Sequence, residues 1–234
     1  MRKILFFLGL HLFFMSNVIF AQIAGENLPY ISAYKEQIAY FQELITGGQY
    51  DEPSPFIKGD PFHFSRQFER GSLRINGITY PDVPLLYDTY RDQLVTFHPI
   101  FNQKILIKPE KIDGFTLSNG HKFRHFAGNE SYLRHGNGIY QVIVEGKAIA
   151  LAKRYKTTKA LRELSRFNEE YLEKVEFFIR KEGVFFPIKN ASSAYLALDL
   201  DPKTLKKVIK SKGLSFKQNP EDFLNVLVSY SGEE

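Results

Sequence analysis

Val175-Glu-Phe-Phe-Ile-Arg-Lys-Glu-Gly-Val-Phe-Phe-Pro-Ile188 is the stretch whose reading decides the fold. Val175, Phe177 and Ile179 alternate before Glu182-Gly183, and Val184, Phe186 and Ile188 alternate after it. Apolar residues at every second position on both sides of a Gly-tipped reversal describe a β-hairpin with one buried face. Working outward, the same grammar recurs at Asn76-Gly77, Asn119-Gly120 and Glu145-Gly146. Leu85 to Tyr90 and Leu94 to His98 make a further pair around Arg91-Asp92, and Lys104 to Ile107 adds another strand. No strand–helix–strand pattern interrupts the series. The expected fold is therefore α+β, with residues 71–190 forming a mainly antiparallel sheet built from hairpins, as a sandwich or a partly closed barrel.

Helical signals flank that sheet. Ile31, Tyr34, Ile38, Phe41 and Ile45 repeat at helical spacing before Gly47-Gly48, which predicts an amphipathic helix within residues 22–50. Residues 51–70 hold Pro53, Pro55, Gly59 and Pro61 and read as an irregular connector with aromatic anchors Phe56, Phe62 and Phe64. Residues 191–234 read as a helical appendage packed on the sheet. Ser192 to Leu198 makes a short helix, and Asp201-Pro202 opens a second with Leu205, Val208 and Ile209 inward. Asn219-Pro220 opens a third whose buried face is Phe223, Val226, Leu227 and Tyr230.

The N-terminus sets the expected compartment. Met1-Arg2-Lys3 is cationic, Ile4 to Met15 is apolar apart from His11, and Ala21 supplies a small exit residue. That order reads as a signal peptide over residues 1–21, and so as export to the periplasm or the periplasmic face of the outer membrane. No later run is apolar enough for a membrane-crossing helix. Removing residues 1–21 takes Arg2 and Lys3 from the 31 basic residues and none from the 26 acidic ones, leaving a net charge of +3. A bias that small, on an exported chain, argues against a nucleic-acid partner. With no cysteine there is neither a disulfide framework nor a thiolate metal site.

Candidate chemistry is sparse. His121 and His125 share one face of a strand but sit about 13 Å apart, too far to hold one ion. No other pattern assigns a metal, a cofactor or a catalytic residue. Ser32-Ala-Tyr-Lys35 matches the Ser-x-x-Lys pattern without its companion motifs. Asp88 and Asp92 are the candidate polar pair for acid–base work in a glycan-directed hydrolase, against a plainer role in anchoring the Arg91-Asp92 turn. Lys153, Arg154, Lys156, Lys159, Arg162 and Arg166 form one basic segment, which reads as a solvated surface. Lys203, Lys206, Lys207 and Lys210 fall on the outer face of the second C-terminal helix and are the candidate interaction surface.

Two blocks carry a family likeness: Gly71-Ser-Leu-Arg-Ile-Asn-Gly-Ile-Thr-Tyr80 with Val83-Pro-Leu-Leu-Tyr-Asp88, and Lys111-Ile-Asp-Gly-Phe-Thr-Leu117. They resemble a recurring pattern in exported β-rich proteins of Bacteroidota-type bacteria that have no assigned activity. The resemblance runs loosely over residues 55–232, implies export of one continuous unit and transfers no site. The expectation is a non-enzymatic envelope protein that binds a partner protein or an anionic surface. A glycan hydrolase and a carrier of an apolar ligand within a curved sheet are its rivals.

Overall fold

The computed structural model describes Leu44 and residues 47–98, 101–162 and 166–233. The expected signal peptide, the N-terminal helix apart from Leu44 and residues 47–50, and the Ser32–Lys35 match lie outside the described residues.

Eleven strands form one sheet: β1 (Ile57–Lys58), β2 (Glu69–Ile75), β3 (Ile78–Asp88), β4 (Gln93–His98), β5 (Gln103–Leu106), β6 (Ile112–Thr116), β7 (Lys122–His125), β8 (Ile139–Glu145), β9 (Ile149–Ala160), β10 (Glu169–Lys181) and β11 (Val184–Ile188). Their order is β1-β10-β9-β8-β7-β6-β2-β3-β4-β5, with β11 also on β10. Every pairing is antiparallel except the two-residue β1–β10 contact. The protein is α+β and β-rich, and the sheet does not close: its path starts at β1 and ends at β5.

Closure is replaced by a curl. β3 and β7 are three places apart in the sheet, about 14 Å if it were flat, yet the Tyr87 and Phe123 rings lie 5.0 Å apart. Tyr87 also meets Phe115 at 5.3 Å. The inward face is filled by these rings together with Leu73, Ile75, Leu85, Leu94 and Ile139, all buried.

The turns explain why the hairpins form where they do. Asn76 and Gly77 have φ of 49° and 79°, and Glu182 and Gly183 have 51° and 84°, the double positive φ of the two-residue turn that matches strand twist. Glu145-Gly146 differs from this pattern. Gly146 keeps a negative φ, and a Cβ there would stand 3.3 Å from Val228 Cγ1. Its glycine serves the close approach of a helix.

That helix is α3 (Pro220–Glu233), preceded by α1 (Ala191–Ala197) and α2 (Pro202–Ser211). Asn190 caps α1 by accepting from Ser193 N at 2.9 Å, and Asp201 caps α2 by accepting from Lys203 N at 3.0 Å. Ala148, Ala150 and Ala152 give a flat stripe on which Leu224, Leu227 and Val228 pack. The buried face of α3 thus includes Leu224 and Val228, while Val226 and Tyr230 are only half-buried. On α2, Leu205 and Ile209 are buried, but Val208 points outward. Among the described residues, no helix is long and apolar enough to cross a membrane.

Candidate functional site

Two polar junctions hold the curl, and both recruit residues singled out in the sequence. The first lies at the β3–β4 turn. Asp88 is fully buried. One carboxylate oxygen accepts from Tyr90 N and Arg91 N, both at 2.9 Å, and the other from Tyr50 OH at 2.7 Å. Burial pushes the Asp88 pKa up, and the Arg91 amide, the Tyr50 hydroxyl and the Tyr90 amide oppose that rise. Two of the three bonds tie the carboxylate to its own turn, and the third ties that turn to Tyr50.

Asp92 sits in the same turn at φ 58°. Its Oδ1 accepts from Tyr87 OH at 2.6 Å, and its Oδ2 from Asn137 N at 2.7 Å and Lys153 Nζ at 2.8 Å. Lys153, on β9, is 2% exposed, and its ammonium also donates to His135 O at 3.1 Å and Ile139 O at 2.9 Å. Three N–H groups meet three acceptors, so the buried cation is saturated. Burial lowers the Lys153 pKa, and Asp92 pulls it back up. Gly136 makes the fit possible, since a Cβ there would lie 2.5 Å from Asp92 Oδ2. Tyr140 completes the junction: its hydroxyl takes a bond from Asn129 Nδ2 and meets His135 Nδ1, both at 2.9 Å, and burial pushes its pKa up to about 12. In a flat sheet β9 and β3 would be five places apart, about 24 Å. The Asp92–Lys153 pair fastens them together.

The second junction is built on the connector. His63 N donates to Tyr87 O at 2.8 Å, and Thr89 N donates to Pro61 O at 3.0 Å. Lys156 Nζ holds Asp60 O at 2.9 Å and Phe62 O at 2.6 Å. His63 is 6% exposed, and its Nε2 lies 3.0 Å from Nδ1 of His121, ring stacked on ring. Arg154 stands beside them, paired with Glu221 at 2.5 Å and Glu173 at 3.8 Å. Burial, then the positive charges of Arg154 and Lys156, drive the His63 pKa down to about 3. His121 is lowered by the same burial and the same Arg154. Both pKa values being lowered, each ring favours its neutral form, in which a single N–H can bridge the facing nitrogens.

The structure therefore keeps Asp88 and Asp92 within one turn but engages each in separate bonds. His121 meets His63 from the connector, not His125. Among the described residues, no group of three or more His, Asp or Glu side chains could hold a metal ion. The basic segment on β9 is only partly a solvated face, because Lys153, Arg154 and Lys156 are drawn into the two junctions. Sequence reasoning missed His63 altogether. Lys153 did carry a signal, continuing at period two the face of Ile149 and Leu151.

Among the described residues, two open grooves lie along the sheet. The larger, about 830 Å³, lies over β2, β6, β7 and β8 and is lined by Arg74, Asp113, Thr116, Lys122 and Arg124. Arg124 pairs with Glu145 there, and Arg74 reaches Asp113 at 4.0 Å. The smaller, about 330 Å³, lies between His121, Gln141 and Glu221. On α2, Lys203, Lys206, Lys207 and Lys210 are all exposed, opposite the buried Leu205 and Ile209. No carboxylate among the described residues pairs with any of the four. Neither a family model, nor a curated protein, nor a solved structure matches the chain.

Proposed function

We propose that this chain is an exported cell-envelope protein that works by binding, docking on an anionic surface through the lysine face of α2. The observation that supports this reading is the un-neutralised stripe of Lys203, Lys206, Lys207 and Lys210. Their spacing of three, four and seven residues puts them on one side of the helix, and α2 presents that side to solvent. Elsewhere Lys104, Arg124, Lys153, Arg154, Lys156 and Lys181 each face a carboxylate. Unpaired cations in a row gain about 1 kcal/mol each near an anionic lipid surface. Export is motivated by the charge and apolar pattern of residues 1–21.

The test is co-sedimentation of residues 22–234 with vesicles of phosphatidylglycerol and phosphatidylcholine, against phosphatidylcholine alone. Binding to the anionic vesicles is expected, falling as salt is raised. Replacing the four lysines by Gln should cut it at least tenfold while leaving the unfolding midpoint unchanged. Equal partition into both vesicle types, or full binding by the quadruple variant, would overturn the reading.

A further inference from the structure

β10 is thirteen residues long, but its outer side is paired only at the two ends. Ile57 and Lys58 of β1 face Glu169 and Glu170, and β11 covers Phe177 to Lys181. Among the described residues, no strand lies beside residues 171–176. Alternation fixes which main-chain groups are left open. Lys181 and Val184 close a two-residue turn, so Lys181, Ile179 and Phe177 direct N–H and C=O toward β11. The even-numbered residues then bond to β9.

Two observations away from β11 agree with that parity. Lys156, opposite Glu173, gives its N–H to Thr89 O at 3.2 Å, away from β10. Leu161 N bonds Asn168 O at 2.9 Å, so the carbonyl of that even-numbered residue faces β9, while its N–H, beyond the strand end, turns to Phe56 O at 2.9 Å. Glu173 and Val175 therefore turn N–H and C=O outward with no strand to receive them. Glu173, Lys174 and Val175 are also the only exposed run in β10. The far end of the sheet is managed differently: Tyr50 N bonds Lys104 O at 2.8 Å and Leu106 N bonds Gly48 O at 2.9 Å, which covers β5.

The slot's bounds select its occupant. A second copy of β10 is excluded, because a thirteen-residue strand in that row would collide with β1 and β11. A segment of four to six residues fits between them, roughly 13–20 Å of extended chain. Along the slot Glu173 and Glu176 flank Lys174, and across the ladder Lys156, Arg154 and Lys153 of β9 stand opposite Glu173, Val175 and Glu176, with Arg154 3.8 Å from Glu173. The Glu173 side chain is 57% exposed, and Val175, on the same face, is 39% exposed. A basic residue beside Glu173 and a β-branched one beside Val175 would make favourable cross-strand pairs. We propose that the open stretch of β10 takes, as an added strand, a short extended segment of a partner protein that sets one basic residue beside Glu173 and a β-branched one beside Val175, independently of α2.

Amide hydrogen exchange on the ¹⁵N-labelled chain tests this, with acetyl-VTKTV-amide as the probe. In the free protein the amides of Glu173 and Val175 should exchange fast and those of Lys174 and Glu176 slowly. Millimolar peptide should protect Glu173 and Val175 at least tenfold. A peptide N-methylated at the amides facing β10 should not. Val175→Pro removes an outward N–H and leaves the β9 ladder whole, so it should keep the fold and weaken peptide binding at least tenfold. Protected Glu173 and Val175 amides in the free chain would overturn the proposal. So would an absence of protection with peptide, or equal protection by the N-methylated peptide, which decides the matter even if Val175→Pro does not fold.

Discussion

Acid should loosen this protein through His63, and the size of the effect follows from its surroundings. The ring is held by Tyr87 O at its own backbone amide, by His121 at Nε2 and by the Phe123 edge, with Arg154, Lys156, Glu173 and Glu221 around the histidine pair. Its folded pKa is about 3 against an ordinary 6.5. Between those values the unfolded chain takes up a proton that the folded chain refuses. Stability from this group is therefore complete above pH 6.5 and declines as pH falls toward 3. The linkage gives a loss of about 2 kcal/mol at pH 5 and about 3 kcal/mol at pH 4, a large part of an ordinary domain's total. Urea midpoints of wild type and His63→Gln at pH 7 and pH 5 measure it. Gln keeps an amide N–H for His121 Nδ1 and cannot charge. The lowered His121 and His135 add losses of the same sign, and the raised Asp88 adds a gain, but both chains share them. Wild type should lose about 2 kcal/mol more than His63→Gln over that interval. Equal losses in the two chains would refute the reasoning.

Two further substitutions probe the curl and the sheet beneath the larger groove. Lys153→Met strips the cation from a buried carboxylate and leaves His135 O and Ile139 O without their donor. It should cost about 3–5 kcal/mol in urea unfolding, and a change under about 1 kcal/mol would mean that Asp92 is solvated. Gly114→Ala places a Cβ 2.6 Å from Phe123 O and 3.0 Å from Arg124 Cγ. It should lower stability by about 1–3 kcal/mol in thermal melts, by prising β6 from β7.

The hairpins were legible because their information is local. Gly77 and Gly183 announce reversals, but alternation beside Gly183 did not tell which side is buried, since Val175, Val184 and Phe186 are exposed while Phe178 on the other face is buried. Helices α2 and α3 were legible for the same reason, through Asp201-Pro202 and Asn219-Pro220. The curl was not, since it depends on Tyr87 meeting Phe123 and Asp92 meeting Lys153, 61 residues away in sequence. Period two places Lys153 on the face of Ile149 and Leu151, but nothing local names the Asp92 that saturates its ammonium. His63 stayed hidden because its partner lies 58 residues on and its own neighbours spell only an aromatic connector.

The hydrolase alternative turns on access rather than on residue type. A glycosidase pair needs two carboxyl groups with an open side toward a sugar. Asp88 is enclosed by Tyr50 and two turn amides. Asp92 already accepts from Tyr87, Asn137 and Lys153 and its side chain is 14% exposed, so little of it is left open toward a substrate. Among the described residues, the accessible polar groups include a row of ammonium groups on α2 that no carboxylate faces, the outward main-chain groups of β10, and the side chains along the groove over β2, β6, β7 and β8.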